Sequence, residues 1–405
     1  MVVPLCSRTV SEQCLCKRTN GETCRMNMHI LLLAYGVAAM AASVFSLLVT
    51  VANIVYMAYG SAVEPLASGP KVCVLVPARN EERRIKPCLD SLLVQDYSNY
   101  QIYVIDDNSV DRTWEILKDY AQRYPRKVKA FKASPLPEDW YGKPHALQEL
   151  SAHADGEYLL CTDADTVHHR KAIGKAVALA KASKADLVSG YVHHLMPTFG
   201  ETAIEPSIYL LTMLGLPLFL IPATKSPLLS HAIGQFMLFR RSFFAKMGGY
   251  ETVRHQATED VRMSRQVKAF GGKVIFVDLK DCVECRMYED FPSAKKGIAK
   301  NAYDYLGKSN LALIGATAGV PLIYFIPFAL LFVNIPWFGP ALPFLKASAV
   351  LTMYTWVLTT IDRRLPVYVP FIYPLILINT LSALWRGFRA VRREGGVEWK
   401  GRKVQ

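Results

Sequence analysis

The stretch Tyr158-Leu159-Leu160-Cys161-Thr162-Asp163-Ala164-Asp165 decides the fold. An apolar run of four residues reads as a fully buried strand, the pattern of a parallel sheet covered on both faces. It passes directly into two carboxylates separated by one residue. Carboxylates at the carboxyl end of a parallel strand face the crevice where open α/β sheets bind ligands. Such a pair suits a divalent cation, Mg2+ or Mn2+, that completes its shell with phosphate oxygens. Asp-rich strand ends also serve as turns and helix caps, so the pair carries weight only through its surroundings.

Those surroundings repeat the pattern. Val76-Pro77-Ala78-Arg79-Asn80-Glu81-Glu82 follows one apolar run and opens a helix; Ile105-Asp106-Asp107-Asn108-Ser109-Val110-Asp111-Arg112-Thr113 follows another. Strands are expected at 72–76, 102–105, 128–131, 158–161, 187–192, 236–239 and 274–277, with helical patterns between them, for example 81–93 and 111–122. This alternation predicts an α/β, Rossmann-like nucleotide-binding domain with a mostly parallel sheet. Asn80, Asn108 and Asp111 can cap helices, but capping does not explain an apolar strand ending in acid three times over.

Neither a G-x-G-x-x-G nor a G-x-x-x-x-G-K-[ST] motif occurs, so phosphate has to be met by metal and cations. Lys143, in Tyr141-Gly142-Lys143-Pro144, stands at a helix start, where a cation opposes the dipole unless it meets an anion. Farther on, Gly248-Gly249-Tyr250 precedes Thr258-Glu259-Asp260 at another helix start. Acids are ordinary there for dipole reasons; the functional reading is a general base. His231 and His255 are read as structural, and Cys282-x-x-Cys285 as two packing cysteines, since no second ligand pair lies nearby.

The 405 residues include 51% hydrophobic ones and carry a formal net charge of +13. The apolar excess lies near both ends, which favours a membrane over nucleic acid as the basic chain's partner. Residues 29–60 form a transmembrane anchor longer than the ~20 residues a bilayer needs. Residues 1–28 are expected to be a disordered extension in which Met26 or Met28 can be the start, and 61–70 a linker. The catalytic domain spans 71–305. Within it, the uncharged run 207–222 is expected to lie in the membrane interface rather than inside the fold. Residues 310–385 hold two to three membrane helices, and 386–405 a basic tail with seven cations from Arg386 to Lys403. Three later crossings put that tail outside, against the positive-inside tendency; two keep it inside and are preferred, with 365–376 re-entrant or interfacial.

The ordered set V-P-A-R-N-E-E, I-D-D-N-S-x-D-x-T, G-K, T-D-A-D and G-G-Y…T-E-D resembles the family 2 glycosyltransferases of the GT-A fold, over about 71–301. The resemblance implies that Pro77, Arg79, Glu81 and Asp107, with Asp106 sharing the role, hold uridine. It assigns the diphosphate to Lys143, the ribose and metal to Asp163 and Asp165, and the catalytic base to Asp260 with Glu259 beside it. Processive members carry Q-x-x-R-W; this chain has none, which implies transfer of a single sugar, while a carboxylate base implies inversion.

Arg286-Met287-Tyr288, the later Lys300-Asn301 and the ending Gly396-Val397-Glu398-Trp399-Lys400-Gly401-Arg402 are similar to the carotenoid glucosyltransferases of the chlorobactene type and to hopanoid-associated transferases. That likeness implies UDP-glucose as donor and a hydroxylated carotenoid such as hydroxychlorobactene as lipid acceptor. The enzyme would sit in the plasma membrane with its catalytic domain cytoplasmic. The alternatives are another lipid acceptor (hopanoid, polyprenyl phosphate, diacylglycerol or ceramide-like) and a non-catalytic membrane protein that binds nucleotide-sugar.

Overall fold

The computed structural model describes residues 10–404. It divides into two compact units, one of residues up to Leu48 with Thr317–Thr355, the other of Val49–Ala316 with Trp356 onward.

The larger unit is built around a main sheet of seven strands. β1 (Val72–Ala78), β2 (Tyr100–Asp106), β3 (Val128–Lys132) and β4 (Tyr158–Cys161) come first, then the short β5 (Thr166–His168), β6 (Leu187–Tyr191) and β7 (His193–His194). β8 (Met237–Arg240), β9 (Val274–Asp278) and β10 (Val283–Cys285) follow. The main sheet runs β3-β2-β1-β4-β8-β6-β9, all parallel except β8, which is antiparallel to β4 and β6. Its strands are apolar on both faces because helices cover both: Val72 to Val76 and Leu187 to Ser189 have essentially no exposed surface. Chain order reverses between β1 and β4, and the crevice opens at that switch point. The small sheet β5-β10-β7 was not foreseen, since strands of two or three residues leave no periodic signal.

The first two loops zip together. Asn80 adopts a left-handed φ of 53°, and its Oδ1 accepts the Val110 N–H at 2.9 Å. The Glu81 N–H donates to Thr113 Oγ1, and that of Glu82 to Asp111 Oδ2. With these N–H groups satisfied across the gap, the helix starts only at Ile85 (Ile85–Leu93), four residues later than expected.

The run 207–222, expected in the membrane interface, packs part of its surface into the larger unit. It forms a short helix, Ser207–Thr212, and a 3-10 turn, Leu218–Leu220, and Tyr209, Met213, Leu214, Leu218 and Ile221 are buried. Pro217 prevents one continuous helix. The Asn53 amide donates to the Met213 and Leu216 carbonyls and accepts from the Leu218 N–H, so one side chain satisfies the broken backbone. Cys282 and Cys285 are buried packing cysteines, as expected.

The first helix runs Val10–Ser61. Residues 1–9 of the expected extension lie outside the described residues. Among the described residues four helices are long and apolar enough to cross a membrane: Met26–Gly60, Asn310–Ala329, Leu342–Arg363 and Val369–Glu394. In the smaller unit small residues let backbones approach: Gly36 abuts Ala341, and Ser43 Oγ lies 2.8 Å from Ser348 Oγ and 3.1 Å from Thr352 Oγ1. In the larger unit the helix Val369–Arg389 lies along Phe291–Tyr305. Gly387 meets the Ala299 carbonyl so closely that a Cβ would collide with it, and Asn379 donates to the Ala203 carbonyl at 2.9 Å. Phe371 and Ile378, on the opposite face, are exposed.

Candidate active site

A cavity of about 1010 Å³ opens at the carboxyl ends of β1, β2, β4 and β6. Nine of the ten candidate residues line it: Pro77, Arg79, Glu81, Asp107, Lys143, Asp163, Asp165, Glu259 and Asp260. Asp106 does not. It is buried at the end of β2, and its carboxylate turns back to accept the Ser109 N–H, which shapes the loop beneath the crevice.

Lys143 is the hub. Its Nζ lies 2.7 Å from Asp163 Oδ1 and 2.8 Å from Glu259 Oε1, joining the end of β4 to the start of the helix Glu259–Ala269. Burial works against its charge, but the two carboxylates outweigh burial and hold its pKa well above the ordinary lysine value. Arg84 takes the other acid of the pair at 3.6 Å from Asp165 Oδ2, and reaches Glu289 at 3.0 Å.

Asp163 and Asp165 are both raised above the usual carboxylate range. For each the first cause is burial; repulsion follows, from Asp165 in one case and Glu81 in the other. Asp165 Oδ1 is buried without a hydrogen-bond partner. An orphaned carboxylate oxygen beside a second acid fits a hard divalent cation, which would relieve that repulsion. Among the described residues no group of three or more His, Cys, Asp or Glu side chains forms a metal cage, so the rest of a coordination shell would have to come from substrate and water.

Glu259 and Asp260 diverge. Burial alone would raise Glu259, but Lys143 and then Lys300 outweigh it and hold it low, hence ionised. The Asp260 carboxyl, pushed by burial and then by Glu259, rises to about 6. Its Oδ2 accepts the Gly234 N–H at 2.9 Å and its Oδ1 the Val261 N–H at 2.7 Å, which aim it into the cavity from the helix start. His231 also lines the cavity, but burial lowers its pKa to about 4 and its ring packs on Phe276 at 5.0 Å, in keeping with a structural histidine.

Several cavity residues were not foreseen. The chain end forms a hairpin, β11 (Val397–Trp399) with β12 (Arg402–Val404), that turns into the crevice. Arg402 grips Asp107 with two hydrogen bonds of 2.6 and 3.0 Å, and Lys400 pairs with Glu81. Arg79 donates to the Asp107 and Asn108 carbonyls at 2.6 and 2.9 Å and to the Lys400 carbonyl at 3.0 Å. The one sequence signal was a Lys-Gly pair between β-prone residues, a weak form of the two-residue hairpin signature. The far wall is apolar: Ile208, Leu211 and Val261, with Thr380 from the helix Val369–Arg389.

Residues 73–248 match the family model described as glycosyl transferase family 2. Over 336 residues the chain is 23% identical to 4,4'-diaponeurosporenoate glycosyltransferase of Staphylococcus aureus, covering 82% of this chain and 87% of that protein. It is 28% identical over 197 residues to a putative glycosyltransferase, EpsE, of Bacillus subtilis, covering 48% of this chain and 65% of that one. Among solved structures, the mannosyltransferase PcManGT from Pyrobaculum calidifontis, in complex with GDP-Man and Mn2+, superposes with a TM-score of 0.52 at 18% identity, over 90% of this chain and 99% of that one. The shared fold is GT-A.

Proposed function

We propose that this glycosyltransferase, whose residues 73–248 form a family 2 domain, moves a single hexose from a nucleotide-sugar onto a hydroxyl of a membrane lipid. The observation that carries the reading is one cavity holding both the Asp163/Asp165 pair and a carboxyl, Asp260, tuned to about 6. Pairs of acids whose environments push their pKa values apart mark acid–base assignments, and here Glu259 stays charged to position Lys143 while Asp260 is free to take a proton. In the step so defined, the acceptor oxygen attacks the anomeric carbon from the face opposite the diphosphate. Its proton passes to Asp260, and the bond to the diphosphate breaks, so the configuration inverts. Asp163 and Asp165 would hold Mg2+ or Mn2+, which would neutralise the charge growing on the departing nucleoside diphosphate. Glu81, Asp107 and Arg79 would meet the nucleoside, taken as uridine, and Lys143 the diphosphate.

The acceptor is proposed to be a carotenoid. The apolar wall of Ile208 and Leu211, continued by Thr380 on a membrane-type helix, gives a long lipid a path to Asp260. The Staphylococcus aureus relative is named for a carotenoate, which supports this class. It also favours a second reading, since a carboxylate acceptor is already a nucleophile and needs no base. Membranes containing the protein, given UDP-glucose, Mn2+ and either a hydroxycarotenoid or a carotenoic acid, separate the two. Dependence on Asp260 is expected for the hydroxyl acceptor; transfer only to the acid, indifferent to Asp260→Asn, contradicts the first reading.

The tail bears on orientation. The ion pairs of Lys400 and Arg402 with Glu81 and Asp107 support a tail on the same side of the bilayer as the catalytic domain, and so an even number of crossings between them. Two crossings, with Val369–Arg389 against the catalytic domain, satisfy this, and the basic tail supports a cytoplasmic side at the plasma membrane.

A further inference from the structure

The C-terminal hairpin is tied to the crevice at several points. Trp399 pairs with Arg402, leaving Lys400 and Gly401 as a two-residue loop in which both have positive φ, 45° and 76°. This is the mirror-image turn that suits the twist of a hairpin, and Lys is a poor residue for it. Trp399 packs edge-on against Tyr288 with ring centroids 6.5 Å apart, and Lys300 lies 5.0 Å above its ring. At the other edge, a side chain at Gly142 would collide with Arg402 and Asp107, so the glycine leaves room for that pair. A basic tail serving only to meet lipid headgroups has no reason to place a lysine in a strained turn inside the crevice.

The charges give it one. Nine acidic residues line the cavity, six of them at its candidate site: Glu81, Asp107, Asp163, Asp165, Glu259 and Asp260. Lys143 and Arg84 are already engaged by Asp163, Glu259, Asp165 and Glu289. A nucleoside diphosphate would meet a negative site without further cations. Of the further cations that line the cavity, Arg79, Lys296, Lys300, Lys400, Arg402 and Lys403, it is Lys400 and Arg402 that rest on Glu81 and Asp107, the two acids proposed for the nucleoside. Lys400 also acts electrostatically on Asp165, one of the proposed metal acids.

Resting on the proposed nucleotide-sugar reading, we infer that Lys400 and Arg402 are donor-binding residues: they neutralise Glu81 and Asp107 and transfer their hydrogen bonds to the diphosphate as the nucleoside takes over those carboxylates. The hairpin thereby couples base recognition to phosphate binding. The exchange is of hydrogen bonds only, and no covalent bond changes.

The test is calorimetric titration of the full-length protein in lipid nanodiscs with Mn2+, using UDP and uridine, then GDP and guanosine. Lys400→Gln and Arg402→Gln are each expected to weaken diphosphate binding on the order of tenfold, the value of a charge-assisted hydrogen bond. Binding of the bare nucleoside should hold or tighten. Equal loss for nucleoside and diphosphate, tighter binding of both, or no change in either overturns the proposal, the first leaving the hairpin a packing element and the second a plug. Wild-type protein that binds none of the four ligands overturns the functional reading and this inference with it. As a check independent of variants, hydrogen exchange of residues 397–404 in the wild type should slow more with the diphosphate than with the nucleoside; equal exchange contradicts the assignment.

Discussion

Glu259 and Asp260 are adjacent in the chain yet answer to different partners: Glu259 sits 2.8 Å from the Lys143 ammonium, while Asp260 accepts only backbone N–H groups, from Gly234 and Val261. The charge of Lys143 lowers one pKa, and burial beside the other's charge raises its neighbour to about 6.

The pH dependence follows. A base works only when deprotonated, so hexosyl transfer to a hydroxyl should fall as pH drops through about 6 and level off above it. Asp260→Asn should lower kcat by roughly 10²- to 10⁴-fold, the usual range for a general base, with donor binding little changed. Single-turnover rates across pH check both; a flat profile removes Asp260 from the proton transfer.

Asp165→Asn should weaken Mn2+-dependent nucleotide binding, and EDTA should stop transfer in the wild type. The variant loses the 3.6 Å pairing of Asp165 Oδ2 with Arg84 but also a buried charge repelled by Glu81, and Oδ1 has no hydrogen bond to lose, so melting should change little. A large fall in melting temperature with unaltered metal dependence would mark the residue as structural.

Glu205 is fully buried, neither carboxylate oxygen has a hydrogen-bond partner, and burial first, then Glu201, raises its pKa to about 8. For an acid raised in the folded state, the stabilising contribution is complete below the unfolded value near 4.5 and is lost as pH rises through about 8. Thermal melts should therefore show stability declining between those limits, and Glu205→Gln should flatten that decline. A variant with the wild-type slope would show that Glu205 does not carry it.

Gly387→Val should disrupt the seat of the helix Val369–Arg389 on Phe291–Tyr305, since any Cβ meets the Ala299 carbonyl. Overpacking of this kind costs about 1–3 kcal/mol. Limited proteolysis should then release the tail beyond Arg389 sooner than in the wild type. Unaltered cleavage would mean that the contact yields without cost.

Much of this was legible in the sequence because the signals were strong and local. Seven strands announced themselves as apolar runs, and three ended in acids that do meet in one crevice. What escaped was set by distant contacts. Nothing around Lys400 says that Glu81, more than three hundred positions earlier, receives it. The run 207–222 has the composition of an interfacial segment, and nothing within it says that Asn53 and Thr50, on a distant helix, meet its broken backbone. Asp106 and Asp107 are alike as letters; the alternation of side chains at a strand end turns one into the loop and the other into the cavity.

The central claim is transfer of one hexose to a lipid hydroxyl with Asp260 as base. It is tested most directly by mass spectrometry of the lipids after incubating the full-length protein in nanodiscs with UDP-glucose, Mn2+ and a hydroxycarotenoid. The account predicts a carotenoid carrying one hexosyl unit, absent with Asp260→Asn and with EDTA. A polymer, or a hexosylated product formed equally well by Asp260→Asn, would contradict it.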